Sequence, residues 1–132
     1  MAAPGVAISE SEAKTILASN GIPVAREQVV QSAEDAVSAW QSFGRAVVMK
    51  IVSPDIAHKT EIGGVLLNVD SAADVAAGFQ TLMDRARTAK PDATLEGVLV
   101  GEMIDGGVET VMGVVHDPVF GPAVVFGLGG IL

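Results

Sequence analysis

Residues 49–65 read MKIVSPDIAHKTEIGGV. This stretch decides the fold class, because it joins an apolar strand to a polar loop and then to a glycine pair that opens a second strand. The first strand, residues 46–52, is apolar except for Lys50. Strand alternation puts Val47, Met49 and Ile51 on one face and Val48, Lys50 and Val52 on the other. A charge in such a strand is costly unless an anion or a carboxylate accompanies it. Either a phosphate meets the ammonium, or the lysine stem packs on the sheet while its head reaches water. In the loop of residues 53–64, Gly63 and Gly64 let backbone N–H groups approach an anion, and Lys59 and Thr60 add side-chain donors. The spacing matches neither a P-loop nor a dinucleotide-binding fingerprint, and a plain strand–turn–strand connection explains the glycines equally well.

Working outward, the sequence alternates helix and strand. Ser9 and Glu12 form a capping box ahead of a helix carrying Ala13, Ile16 and Leu17, which ends before Gly21 and Pro23. A short strand over residues 24–30 follows. Ser32 then caps a second helix whose Ala33, Ala36, Val37, Trp40 and Phe43 share a face, and Gly44 ends it. After the strand over residues 65–69, Ser71 starts the longest helix, reaching about Ala89. Its Val75, Phe79, Leu82, Met83 and Ala86 face the core, Asp84, Arg85 and Arg87 point outward, and Lys90-Pro91-Asp92 stops it. Strands over residues 97–104 and 109–115 flank Asp105-Gly106-Gly107, which predicts an antiparallel hairpin across that turn. Residues 123–126 are the last strand candidate. The expected class is α/β, in the sense of a mixed sheet with flanking helices.

Composition narrows the function. The 132 residues are 49% apolar and 4% aromatic, enough for one folded unit whose core is built from Val, Ile, Leu, Met and Ala. A formal charge of -8 argues against a nucleic-acid or membrane-surface partner. No apolar run approaches the ~20 residues a bilayer span needs. Without cysteine there is no disulfide framework, thiolate chemistry or cysteine-held metal, and without a signal-like start a cytoplasmic location is expected. Nine of the fifteen glycines lie from Gly97 onward, and the chain stops within FGLGGIL. Such an apolar stop reads as a piece of a longer domain.

Three further residues invite chemistry. His58 stands among polar neighbours, where a histidine can act as a general base or accept a phosphoryl group, although most loop histidines do neither. No second histidine or carboxylate stands at ligand spacing to it, so no metal site is expected, and His116 beside Asp117-Pro118 reads as a turn residue. Glu102 interrupts an apolar strand and Glu109 opens the next. Each is suited to accepting hydrogen bonds from ribose or adenine, or to standing as a solvated strand end.

Taken together, VVMKIVSPDIAHKTEIGGV and GVLVGEMIDGGVETVMGVVHDPVFGPAVVFGLGGI resemble the ATP-grasp domain of ADP-forming acyl-CoA synthetases of the acetate–CoA ligase, beta-subunit-like type. The resemblance covers nearly all of residues 1–132, read as one partial ATP-grasp domain that is incomplete at its C-terminus. It implies a ligase forming acyl-CoA from a carboxylic acid, CoA and ATP, through an acyl phosphate and a phosphohistidine on a companion domain. By the same resemblance Lys50 contacts ATP phosphates, Gly63 and Gly64 form a loop above them, Glu102 and Met103 border adenine, Glu109 lies near the ribose, and His58 joins a phosphoryl relay. The implied cofactors are ATP/ADP and Mg²⁺, with the metal ligands beyond Leu132. The implied partners are CoA-binding and carrier-histidine domains of the same protein or of a partner subunit. A non-catalytic regulatory module of a protein acetyltransferase is the alternative, against which the presence of His58 leans. Uncovered apolar surface after Gly121 further predicts association, such as a homo-oligomer.

Overall fold

The structure, a computed structural model, describes residue 8 and residues 10–129. Three helices and six strands follow in the order α1 (Glu10–Ser19), β1 (Glu27–Val30), α2 (Ala33–Phe43), β2 (Val47–Val52), β3 (Val65–Val69), α3 (Ala72–Ala89), β4 (Gly97–Glu102), β5 (Thr110–Asp117) and β6 (Gly121–Leu128). The expected Ser9 cap and the chain's last residues, 130–132, lie outside the described residues.

The two long helices begin where the sequence caps them. Ser32 Oγ accepts the Asp35 N–H at 3.1 Å and Ser71 Oγ accepts the Asp74 N–H at 3.1 Å, satisfying donors that the first turn leaves unpaired. Gly44 ends α2 in the left-handed region at φ 69°, its N–H donating to Trp40 O. The Trp40 indole N–H donates to Asp70 Oδ1 at 3.1 Å, tying α2 to the connection before α3.

Strands β1, β4, β2 and β3 form one antiparallel sheet in that order. The alternation read from β2 holds: Val47, Met49 and Ile51 are fully buried and Val48, Lys50 and Val52 half-buried. The buried side joins Val98 and Val100 of β4 to Ala36 and Ala39 of α2 and Val75, Phe79, Leu82 and Ala86 of α3 in a single core. Gly78 lets α3 approach closely, since a Cβ there would stand 3.1 Å from both Leu66 Cδ1 and Met49 Sδ. Helix α1 forms where it was expected, but Ile16 and Leu17 remain 50% and 41% exposed, so its apolar face lies open.

The hairpin expected across Asp105-Gly106-Gly107 does not form. Strand β4 is bonded on both edges, Val30↔Val98 to β1 and Ile51↔Val98 to β2, so no edge is left for β5. Gly106 and Gly107 take positive φ, 74° and 75°, as turn glycines should, but the turn carries the chain away from the sheet. Strand β5 pairs instead with β6, from Thr110↔Leu128 to Asp117↔Gly121. The tight turn between them is closed by Asp117 Oδ1, which accepts the N–H groups of Val119 (2.8 Å) and Phe120 (2.9 Å). These two hydrogen bonds, Phe120 first, also lower the Asp117 pKa from its ordinary value.

Candidate functional site

Because α2 and α3 cover one face of the four-stranded sheet, the other face is the place where a ligand can meet it. The register fixes what that face presents. Lys50 pairs with Leu99 on β4 and with Val65 on β3, Val29 of β1 pairs with the same Leu99, and Glu27 pairs with Gly101. The floor is therefore apolar around a single half-buried cation.

A cleft of about 460 Å³ opens here, bordered by Lys50, Leu99, Val29, Ser53, Lys59 and Glu96 among others. Its wall is the loop of residues 53–64, which is tied down at several points. Buried Ser53 donates through Oγ to Thr94 O at 2.6 Å and accepts the Asp55 N–H at 3.2 Å. Asp55 Oδ2 accepts the Thr94 N–H at 2.7 Å, and Lys90 Nζ donates to Asp55 O at 2.8 Å. At the loop's far end Arg85 Nη1 donates to Gly63 O at 2.9 Å. Ile56 is buried in the core and acts as an apolar plug for the same segment. Arg85, read from sequence as an outward helix residue, is thus the clamp on the glycine turn.

The glycine pair is placed as a turn. Gly63 takes φ 70°, and its N–H donates to Thr60 O at 3.1 Å. The Gly64 N–H donates to Lys59 O at 2.7 Å while its carbonyl accepts the Ile51 N–H at 2.9 Å. A Cβ on Gly64 would lie 2.9 Å from both Ile51 Cγ2 and Lys59 O, so a side chain does not fit. Both N–H groups are engaged within the loop. His58 is exposed in this loop, its carbonyl accepting the Glu61 N–H at 3.2 Å.

Glu102 and Met103 lie at the end of β4, three residues along from Leu99, or roughly 10 Å. The Glu102 carboxylate is 11% exposed and bound by Arg26: Oε1 accepts the backbone N–H at 2.7 Å and Oε2 accepts Nη2 at 3.1 Å, with Arg45 Nε 3.9 Å away. The same guanidinium donates to Phe43 O at 2.9 Å and sits 5.3 Å from the Phe43 ring centroid. The Arg26 side-chain hydrogen bond, followed by its backbone N–H, lowers the Glu102 pKa from its ordinary value. Met103 donates its N–H to Ala46 O at 3.0 Å. Glu109 is exposed at the base of the β5–β6 hairpin, where its carbonyl accepts the Gly129 N–H at 3.0 Å.

The structure thus brings Lys50 together with Ser53, Pro54 and Lys59 of the loop, while His58, Gly63, Gly64, Glu102, Met103 and Glu109 are not on the walls of that cleft. Sequence reasoning missed the pairing of Glu102 with Arg26, which are 76 positions apart and share no local motif. Lys59, read from sequence as a side-chain donor to an anion, stands on the same cleft as Lys50. Among the described residues, no three His, Asp or Glu side chains converge to hold a metal ion, and no helix is long and apolar enough to cross a membrane.

Comparisons with known proteins agree on one family. A family model described as an ATP-grasp domain matches residues 1–132. The beta subunit of acetate–CoA ligase [ADP-forming] I from Pyrococcus furiosus is 48% identical over 122 residues, which are 92% of this chain and 53% of that subunit. The dinucleotide-forming acetyl-coenzyme A synthetase 1 of Ca. Korarchaeum cryptofilum, solved with coenzyme A, Ca-AMPCP and HgCl+, superposes with a TM-score of 0.77 at 42% identity. That match covers 91% of this chain and 52% of that one. A second structure of that synthetase holds coenzyme A and Mg-AMPPCP, with a phosphohistidine segment pointing towards the nucleotide-binding site. It gives a TM-score of 0.74 at 37% identity, over 94% and 51% of the two chains. The chain spans about half the length of these relatives.

Proposed function

This chain belongs to the ATP-grasp domain family, and from that premise we propose that it is the nucleotide-binding portion of an ADP-forming acyl-CoA synthetase. In this reading the complete protein joins a carboxylic acid to CoA at the expense of ATP, through an acyl phosphate and a phosphohistidine. CoA-binding and carrier-histidine domains, on the same protein or a partner subunit, supply the remaining groups. Residues 1–132 are then part of one ATP-grasp domain.

The observation that carries the reading is Lys50: a half-buried ammonium on an uncovered apolar sheet face, walled by an anchored loop. Phosphoryl transfer asks a protein chiefly for positioning and charge neutralisation, and an ammonium in an apolar setting interacts strongly with a phosphate. Apolar Leu99 and Val29 offer a floor for the less polar part of a nucleotide. In the hinge at Glu102 and Met103, Arg26 holds the carboxylate and the two backbone N–H groups are bonded to Arg26 O and Ala46 O, so backbone carbonyl oxygens are assigned as the readers of the adenine amino group. Glu109 is assigned to the ribose side, and Gly63 and Gly64 to the turn that shapes the wall beside the phosphates. His58, exposed on the same loop, is assigned to the phosphoryl relay, exchanging the phosphoryl group with the carrier histidine of the companion domain. Mg²⁺, when bound with ATP, would supply further charge neutralisation, and no residue of this chain is assigned as its ligand.

The test uses the intact protein with ATP, Mg²⁺, CoA and a panel of short carboxylic acids, following ADP release. Wild type is expected to release ADP continuously only with acid and CoA present, ATP alone giving no more than a stoichiometric burst as histidine is phosphorylated, and Lys50→Ala to lower the continuous rate by about 100-fold or more. Undiminished turnover in Lys50→Ala would overturn the assignment.

A further inference from the structure

The exposed stretch that carries His58 is spanned between two anchors. Before it, Ile56 is buried in the core and Asp55 is bonded to Thr94 and Lys90. After it, the Gly64 carbonyl accepts the Ile51 N–H at 2.9 Å, which ties the chain back to the sheet. Between them the backbone closes on itself: the Glu61 N–H donates to His58 O, the Gly63 N–H to Thr60 O and the Gly64 N–H to Lys59 O. Among the described residues, one side chain from elsewhere in the fold hydrogen-bonds to residues 57–64. It is Arg85 of α3, whose Nη1 donates to Gly63 O at 2.9 Å.

Arg85 is free for that contact because its neighbours on α3 answer each other, Arg87 Nη1 standing 3.7 Å from Asp84 Oδ1. Among the described residues no carboxylate is within ion-pair distance of the Arg85 guanidinium, and an ionised donor makes a stronger bond to a carbonyl than a neutral one. Gly63 makes room for it: a Cβ there would stand 3.1 Å from Nη1 and 3.3 Å from Cδ of Arg85. Arg85 is exposed, so little of the global stability depends on this bond. Its effect is local. Without it, residues 57–62 are held by their own turn hydrogen bonds and by the packing of half-buried Ile62.

We infer that Arg85 is a positioning residue for the phosphoryl relay: by holding the Gly63 carbonyl it sets how the turn presents His58 to the companion domain. This rests on the synthetase reading above and on the role assigned there to His58. In the exchange between two histidines, the P–N bond to one imidazole breaks as the P–N bond to the other forms. The departing electron pair returns to its ring nitrogen, so no further reactant is consumed. Such a transfer needs the reacting atoms in near-attack geometry, and a misplacement of about 1 Å is costly to its rate. Nucleotide binding depends on other supports. Arg85 does not border the cleft, and Lys50 is fixed by its pairing with Val65 and Leu99.

The experiment compares wild type, Arg85→Met and Arg85→Lys in the intact protein. It measures kcat for ADP release with ATP, Mg²⁺, CoA and acid, affinity for a non-hydrolysable ATP analogue by calorimetry, and thermal melting. Methionine keeps an unbranched stem beside the turn and removes the donor, whereas lysine keeps a charged donor. Arg85→Met is expected to lower kcat by about 10-fold, with analogue affinity within about 3-fold of wild type and melting within about 2 °C. Arg85→Lys is expected to recover most of the lost rate. Unchanged kcat in Arg85→Met, a loss confined to analogue binding, a loss accompanied by a destabilised fold, or a loss that lysine does not recover would overturn the inference and leave the synthetase reading standing. Wild-type protein that neither binds the analogue nor releases ADP would overturn both.

Discussion

Glu102 and Lys50 are both charged residues in apolar strands, and they solve the problem of that charge in opposite ways. Glu102 has both carboxylate oxygens occupied by Arg26, whereas Lys50 keeps its ammonium towards an open cleft. Alternation along β2 made the facing of Lys50 legible from sequence, because the signal is local. The partner of Glu102 was not legible, since it depends on β1 pairing with β4 and on α2 ending beside both. Arg26 lowers the Glu102 pKa below its unfolded value. The contribution is therefore present above the unfolded carboxylate pKa and is lost as pH falls through the folded one. With Arg26 about half exposed, solvent screens the pair and the effect is modest. Glu102→Gln is expected to melt below wild type at pH 7, with the gap closing as the pH is lowered through the carboxylate range. Identical melting curves at pH 7 would show that the pair contributes nothing to stability.

At the scale of elements, α2 and α3 could be placed within a residue or so because serine caps and a helical apolar stripe agree. The strands after Gly97 could not, because sequence shows a turn but not whether the strand before it still has a free edge. Strand β4 has none, and the glycine turn at residues 106–107 serves as an exit. The product is the β5–β6 ribbon, apolar yet open on both faces: Met112 is 69% exposed, Val114 72%, Val124 73% and Phe126 66% on one, and Val111 56%, Val115 53% and Val125 48% on the other. A two-stranded ribbon of this kind is marginal without a covering surface, and its apolar side chains favour self-association. Residues 1–132 expressed alone are expected to associate in light scattering at micromolar concentration. The double substitution Val114→Lys with Phe126→Lys is expected to shift them towards monomer. A monodisperse wild-type monomer would contradict this account of the ribbon.

For the whole molecule, the architecture assigns a role to each side of the sheet. One face is sealed by two helices around Met49, Ile51, Val75, Leu82 and Val98, and the other is left for a ligand around Lys50 and the anchored loop. The α/β class and the ATP-grasp resemblance were both legible, the first from periodicity and the second from two long ordered motifs. The gathering of the site was not, because His58, Glu102 and Glu109 reach the nucleotide region in the family reading but stand apart from the cleft within these residues. A site shared with other parts of a longer protein would have this appearance, in keeping with relatives about twice as long. The most direct test is a crystal structure of the intact protein with Mg²⁺ and a non-hydrolysable ATP analogue. The account predicts the nucleotide on the helix-free face, with a phosphate oxygen about 3 Å from Lys50 Nζ. A nucleotide bound elsewhere, or one whose phosphates lie out of reach of Lys50, would contradict it.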